Sequence, residues 1–194
     1  PFVYKMPYAY MAECRKKIDQ LRESGLLVES SSRYASPLVC ALKKNGTLRM
    51  CGDYRAINAV AILDRYVLPR IDYIKQHLDG VYFSILDLRE GFNQVPVRAQ
   101  DRPKTAIHTP WGLFEYTRMP YGLKNCPPTF QRFMNYVTTG LDNIFVYIDD
   151  IIVFTATLEQ HEQALTALFE RFEHYGLVVN NTKCEIARRV VVFL

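Results

Sequence analysis

No run of about twenty apolar residues occurs anywhere in the sequence, which excludes a membrane-spanning helix. Cysteine is sparse: five residues, at 14, 40, 51, 126 and 184, with no C-x-x-C pair among them. That scatter points to neither a zinc site nor a disulfide framework, and reduced thiols are the expected state. The four histidines, at 77, 108, 161 and 174, share no ligand spacing and are expected on the surface or in the core. No Ser/His or Cys/His arrangement of the kind used in nucleophilic catalysis is legible, and Ser30-Ser31-Ser32 reads as a loop. Internal repeats and low-complexity linkers are missing too. The first residues, Pro1-Phe2-Val3-Tyr4-Lys5, are not a signal peptide and lack an initiator Met. At the other end, Val190-Val191-Val192-Phe193-Leu194 reads as a strand cut short, so a fragment of a longer polypeptide is expected.

With 194 residues, 49% apolar and 23% charged, the chain can bury one sizeable core. Net charge is +4, but it is uneven: residues 1–104 hold 17 Lys/Arg against 11 Asp/Glu, and residues 105–194 hold 7 against 9. A basic first half beside a mildly acidic second half suits a polyanionic partner held next to a metal-binding site. A merely solvated basic surface gives the same count.

Along residues 8–24, Met11, Cys14, Ile18 and Leu21 recur at helical spacing, with Gly25 as the stop. Residues 38–42 and 48–51 read as strands joined around Asn45-Gly46, a hairpin signal that gathers Lys43, Lys44 and Arg49. Arg55, Arg65 and Arg70 follow; such basic residues protect a sheet edge or grip phosphates. A short helix over 71–78 precedes a buried strand over 81–88 that carries Asp87 near its end. Gly91-Phe92 turns the chain, and residues 104–109 and 113–117 form another pair of strands. Asn125-Cys126-Pro127-Pro128 opens a helix to about 139, its prolines in the first turn, where a missing N–H costs nothing. Thr157-x-x-Gln160 is a capping box that starts a helix to Tyr175, ended by Gly176. Its apolar side holds Leu158, Ala164, Leu165, Leu168, Phe169 and Phe172. Strands interleaved with helices, two hairpins among them, argue an α+β domain with a largely antiparallel sheet.

The most informative stretch is Tyr147-Ile148-Asp149-Asp150. Two adjacent carboxylates sit between apolar, β-rich runs at 143–146 and 151–154, so the pair marks a tight hairpin turn. Aspartate is an ordinary turn residue. Two neighbouring negative charges between buried strands, however, repel each other, are poorly solvated and need a cation. Asp87 is a third acid in an apolar setting, and it converges on the pair if the two strands are neighbours. Hard oxygen donors suit Mg²⁺ or Mn²⁺ rather than zinc, and two such ions serve in-line phosphoryl or nucleotidyl transfer.

Further motifs line up with this one. They are Leu48-Arg49-Met50-Cys51-Gly52-Asp53-Tyr54-Arg55-Ala56-Ile57-Asn58, Asp64-Arg65-Tyr66-Val67-Leu68-Pro69-Arg70-Ile71-Asp72, Phe83-Ser84-Ile85-Leu86-Asp87-Leu88-Arg89-Glu90-Gly91-Phe92, Met119-Pro120-Tyr121-Gly122-Leu123-Lys124-Asn125 and Thr129-Phe130-Gln131. In this order they make the chain resemble the fingers and palm of a reverse transcriptase, of the type carried by gypsy-like long-terminal-repeat retrotransposons. The resemblance implies a right-hand polymerase fold, with fingers at about 1–80 and 100–118 and palm at about 81–99 and 119–194. Thumb, connection and RNase H would then lie outside the chain. The implied activity is RNA-directed DNA polymerisation: two Mg²⁺ ions (Mn²⁺ as an alternative) assist addition of dNTPs to a primer 3′-OH on an RNA or DNA template. The implied partners are the template-primer, dNTPs and the rest of a Pol polyprotein, including thumb, RNase H and integrase. No membrane is involved, and a cytoplasmic virus-like particle is the implied location.

Position by position, Asp87, Asp149 and Asp150 match the catalytic, metal-binding triad. Phe92 matches the bulky residue that excludes a 2′-hydroxyl, and Arg49, with Lys43 or Lys44, the contacts to the triphosphate. Leu88, Tyr121 and Gly122 match the dNTP pocket, and Tyr147 and Ile148 lie where the primer terminus is held. Two departures stand out: Tyr121 replaces a glutamine of the retroviral enzymes, and Cys126-Pro127-Pro128 replaces smaller residues. An RNA-dependent RNA polymerase would share the palm logic, but Phe92 argues against it. A catalytically inactive relic that still binds nucleic acid is the second alternative.

Overall fold

The computed structural model describes residues 8–42 and 48–193. In chain order the elements are α1 (Met11–Glu23), β1 (Leu27–Glu29), β2 (Ser36–Leu42), β3 (Leu48–Gly52), α2 (Arg55–Val60), α3 (Ile71–Gln76) and β4 (Tyr82–Asp87). They continue with β5 (Ile107–Thr109), β6 (Gly112–Tyr116), α4 (Cys126–Val137), β7 (Ile144–Tyr147), β8 (Asp150–Thr155), α5 (Leu158–Tyr175) and β9 (Glu185–Arg188). Short 3₁₀ turns occupy Tyr8–Tyr10, Gly91–Gln94 and Ala99–Thr105. The chain divides into two compact units, one of Pro1–Leu63 with Phe92–Cys126, the other of Asp64–Gly91 with Pro127–Leu194. These divisions differ from the finger and palm ranges expected above: residues 64–80 fall in the second unit, and residues 92–99 and 119–126 in the first.

In the first unit a five-stranded sheet runs in the order β1-β6-β5-β2-β3, antiparallel at each pairing except β2 with β5. The helical period of α1 turns Cys14 and Ile18 inward, and the helix stops before Gly25, whose φ of +72° carries no Cβ penalty. Ile18 joins Leu27, Leu38, Tyr54, Ile107, Phe114 and Tyr116 in one apolar core. The expected β2–β3 hairpin is present, with Leu42 paired to Leu48. Its turn, with Lys43 and Lys44, lies outside the described residues. The strand expected over 104–109 is shorter: a 3₁₀ turn runs to Thr105, whose side chain rather than backbone takes the Tyr116 N–H (2.8 Å), and the strand is confined to Ile107–Thr109.

In the second unit a fully antiparallel sheet runs β7-β8-β4-β9. Ile151, Ile152 and Val153 of β8 are all fully buried, as a strand with both faces covered requires. The Thr157–Gln160 capping box is formed and Gly176 closes α5 in the left-handed conformation. The buried face of α5 is His161, Leu168 and Phe172, whereas Leu158 is 54% and Phe169 39% exposed. The expected apolar stripe holds at Leu168 and Phe172, which are buried, and at Ala164 and Leu165, which are half-buried; Leu158 and Phe169 fall outside it, and the polar His161 joins the inward face. Residues 190–193 form no strand: a strand needs a hydrogen-bonded neighbour, β9 ends at Arg188, and Val190 and Val192 are 83% and 91% exposed.

The contrast between Leu168 and Leu158 gives a direct check. Leu168→Ala costs about 2–5 kcal/mol of stability, while Leu158→Ala stays within about 0.5 kcal/mol. Chemical denaturation of both variants measures the difference, and equal losses would place Leu158 in the core beside Leu168.

Candidate active site

The expected neighbour relation between the two acidic strands is realised. β4 and β8 pair antiparallel with Asp87 directly opposite Asp150, so their Cβ atoms lie about 4.5–5.5 Å apart on one face. Tyr147 pairs with Asp150 across the β7–β8 hairpin, which leaves Ile148 and Asp149 as the two turn residues. Asp150 is thus the first residue of a strand rather than part of the turn. Ile148 has a φ of +55°, a rare conformation for a β-branched side chain and a mark of local strain.

Three carboxylates share one field there. Burial, then the charges of Asp150 and Asp87, push the Asp149 carboxyl up to about 6, against a partial opposing pull from Lys183. Burial and Asp87 likewise raise Asp150. Lys183 forms an ion pair with Asp87, Nζ to Oδ2 at 3.1 Å. Asp149 Oδ1 is buried and has no hydrogen-bond partner. A Cβ at Gly91 would stand 2.7 Å from that oxygen, which explains why this position carries no side chain. Among the described residues, no three His, Cys, Asp or Glu side chains close on one point tightly enough to hold an ion. The donor chemistry itself fits a hard divalent cation: oxygen ligands only, mutual repulsion, and one buried oxygen left unsatisfied.

The turn is clamped from behind. Gln131, fully buried on α4, accepts the Ile148 N–H at Oε1 (2.8 Å) and donates from Nε2 to Val146 O (2.9 Å) and Asn135 Oδ1 (2.8 Å). Asn135 in turn donates to the Tyr66 hydroxyl at 2.7 Å, and Arg132 makes two 2.7 Å bonds to the Asp64 carboxylate. Sequence reading assigned Gln131 no role. Its signal was a glutamine among the buried positions Phe130, Met134 and Val137 of one helix.

The first unit gathers most of the expected nucleotide pocket. The rings of Phe92 and Tyr121 lie 5.0 Å apart, and the exposed Arg49 places its guanidinium 5.5 Å over Tyr121. Cys51 Sγ donates to Tyr121 O at 3.1 Å. Gly122, at φ +100°, meets Cys51 Sγ so closely that a Cβ there would lie 2.9 Å away. Leu88, also expected at the pocket, belongs to the second unit, where its side chain is 3% exposed and forms part of the core. Lys43 and Lys44 lie outside the described residues.

Residues 41–194 match the family described as reverse transcriptase (RNA-dependent DNA polymerase), and the chain belongs to that family. The retrovirus-related Pol polyprotein from transposon 297 of Drosophila melanogaster is 35% identical over 199 residues, covering 98% of this chain and 19% of that protein. The transposon Tf2-3 polyprotein of Schizosaccharomyces pombe is 31% identical over 194 residues, covering 98% of this chain and 15% of that protein. The chain therefore spans less than a fifth of the length of these relatives. Among solved structures, the foamy viral protease-reverse transcriptase in complex with double-stranded DNA superposes with a TM-score of 0.94 at 28% identity, over 100% of this chain and 34% of that one. Its complex with an RNA/DNA hybrid gives 0.93 at 27% identity, over 100% of this chain and 26% of that one.

The raised Asp149 carboxyl predicts a pH signature in metal-free protein. The folded state keeps a proton that the unfolded chain, at an ordinary carboxylate pKa, has already released. Its stabilising contribution is complete below about pH 4 and is lost as pH rises through about 6. Asp149→Asn removes that loss, so its melting temperature gains on the wild type as pH is raised from 4 to 7. A constant difference across that range would place the titration elsewhere.

Proposed function

We propose that the chain is the catalytic segment of an RNA-directed DNA polymerase within the Pol polyprotein of a gypsy-type long-terminal-repeat retrotransposon. The observation that carries this reading is the register pairing of Asp87 with Asp150 beside the unsatisfied Asp149, in a chain of the reverse transcriptase family. Asp87, Asp149 and Asp150 would hold two Mg²⁺ ions, or Mn²⁺, which supply activation of a primer 3′-hydroxyl and neutralisation of the departing pyrophosphate. Solved relatives bound to double-stranded DNA and to an RNA/DNA hybrid support a template-primer as partner.

The chain's own residues then divide the remaining work. Arg49, with Lys43 or Lys44, neutralises the triphosphate, as a guanidinium with several donors is suited to do. Phe92, held against Tyr121, leaves no room for a 2′-oxygen and so selects dNTPs over NTPs. Tyr121 and Gly122 line the pocket, and the family resemblance assigns Leu88 to nucleotide binding as well. Tyr147 and Ile148, fixed by Gln131, hold the primer terminus. Thumb, RNase H and integrase are the polyprotein partners, and a cytoplasmic virus-like particle is the setting.

Incorporation of dNTPs on a primed RNA template with Mg²⁺, by the full polypeptide that contains this segment, tests the reading. Loss of incorporation in Asp149→Asn is the expected result. No incorporation by a folded wild type that still binds template-primer would favour the inactive relic. For the pocket, Phe92→Val admits ribonucleotides, lowering discrimination by roughly tenfold or more. Unchanged discrimination in single-nucleotide kinetics would remove Phe92 from that role.

A further inference from the structure

No Ser/His pair is legible in the sequence, yet the second unit buries one. His161 of α5, 1% exposed, meets Ser84 Oγ of β4 at 2.6 Å through Nε2 and Thr155 Oγ1 of β8 at 3.0 Å through Nδ1. The proton count fixes every direction. Thr155 spends its one hydroxyl proton on Thr157 O, at 3.0 Å, so toward the imidazole its oxygen accepts and Nδ1 carries the hydrogen. In the neutral ring Nε2 is then an acceptor, and Ser84 donates to it. Ser84 Oγ in turn accepts the Ala187 N–H at 2.9 Å. Only the neutral Nδ1–H tautomer satisfies all of these groups. Ser84 is fully buried, so no substrate reaches the pair and it is not a nucleophile.

What Ser84 grips is irregular. Ala187 sits at φ +50°, and the β4–β9 pairing shifts register between Phe83 and Ile85. A side chain has replaced the ladder partner at that bulge. Upstream, backbone bonds tie the same segment to the end of β4: Asn180 N donates to Asp87 O at 2.8 Å, and Leu88 bridges Val179. Lys183 lies between the two anchors, with its Nζ on Asp87.

We propose that His161 is a positioning residue for the carboxylate centre: it orients Ser84, which anchors β9 at Ala187 and so keeps Lys183 on Asp87. This role presupposes that Asp87, Asp149 and Asp150 form the catalytic centre proposed above. Burial depresses the imidazole pKa, in keeping with a neutral ring. The groups facing it agree, since the Tyr82 ring of β4 lies 6.4 Å away and carries the Arg189 guanidinium 5.4 Å over it. A second positive charge on His161 would gain no partner from them.

Two measurements separate this role from general support of the fold. Amide exchange reads the stitch without any catalysis. Ser84→Ala and His161→Gln lose protection at the Ala187 N–H by roughly tenfold or more, while the β4–β8 amides keep theirs. Ser84→Thr, which retains the hydroxyl, restores it. Kinetics on the full polypeptide read the consequence: Ser84→Ala lowers kcat with little change in KM for dNTP, and adds nothing further when combined with Lys183→Ala. Unchanged Ala187 protection in Ser84→Ala overturns the anchoring, and additive losses of kcat overturn the route through Lys183. If the wild type incorporates no nucleotide, the polymerase reading fails, and the exchange experiment alone decides whether His161 anchors β9.

Discussion

Antiparallel pairing of β4 with β8 is the constraint on which the centre depends. It places Asp87 opposite Asp150 and brings Asp149 to the adjoining turn. A slip of one residue would send one of the paired carboxylates to the other face. What prevents the slip is the fully buried run Ile151, Ile152 and Val153, together with the fixed length of the two-residue turn. The apolar core therefore holds together three charges that repel one another. That opposition is visible in the raised Asp149 and Asp150 carboxyls and in the unsatisfied Asp149 Oδ1. A bound cation would relieve it.

Polar side chains buried in the second unit act as fixed fittings rather than as flexible partners. Gln131 spans the β7–β8 turn with one amide, accepting from Ile148 and donating to Val146. His161 and Ser84 do the equivalent for β9. In each case a main-chain group that a regular ladder would leave unpaired is satisfied by a side chain that is itself fully bonded. Such networks have little freedom, because removing any member strands its neighbour in a low-dielectric interior. The left-handed Ile148 and Ala187 are found where these fittings attach, so the strain is held at two points by named bonds.

The first unit answers a different demand. Phe92 and Tyr121 form an apolar wall, with Arg49 above it and Gly122 packed on Cys51 beneath. Shape is decided by rings and by a missing Cβ, and charge by a guanidinium that stays exposed. If Phe92 has the sugar-excluding role proposed for it, that stiffness is what the role requires, since a side chain free to move would admit the extra oxygen.

The α+β class, the paired strands, the capped α5 and the three acids in apolar settings are all legible in the order of the residues. Each of those follows from local chemistry: periodicity, turn residues, and two charges in an apolar run. Motif order went further and pointed to the reverse transcriptase family, to which residues 41–194 belong. Packing settled what local chemistry left open: that Leu158 and Phe169 stay outside the buried face of α5 while His161 enters it, that residues 190–193 find no strand partner among the described residues, and that Asp150 belongs to a strand while Asp149 takes the turn. Gln131, Lys183 and His161 were legible as residues but not in their partners, because Ile148, Asp87 and Ser84 lie far from them in the chain. Hydrogen bonds and ion pairs of that kind depend on register and burial, and those are set by the packing of the whole sheet rather than by any stretch of residues within it.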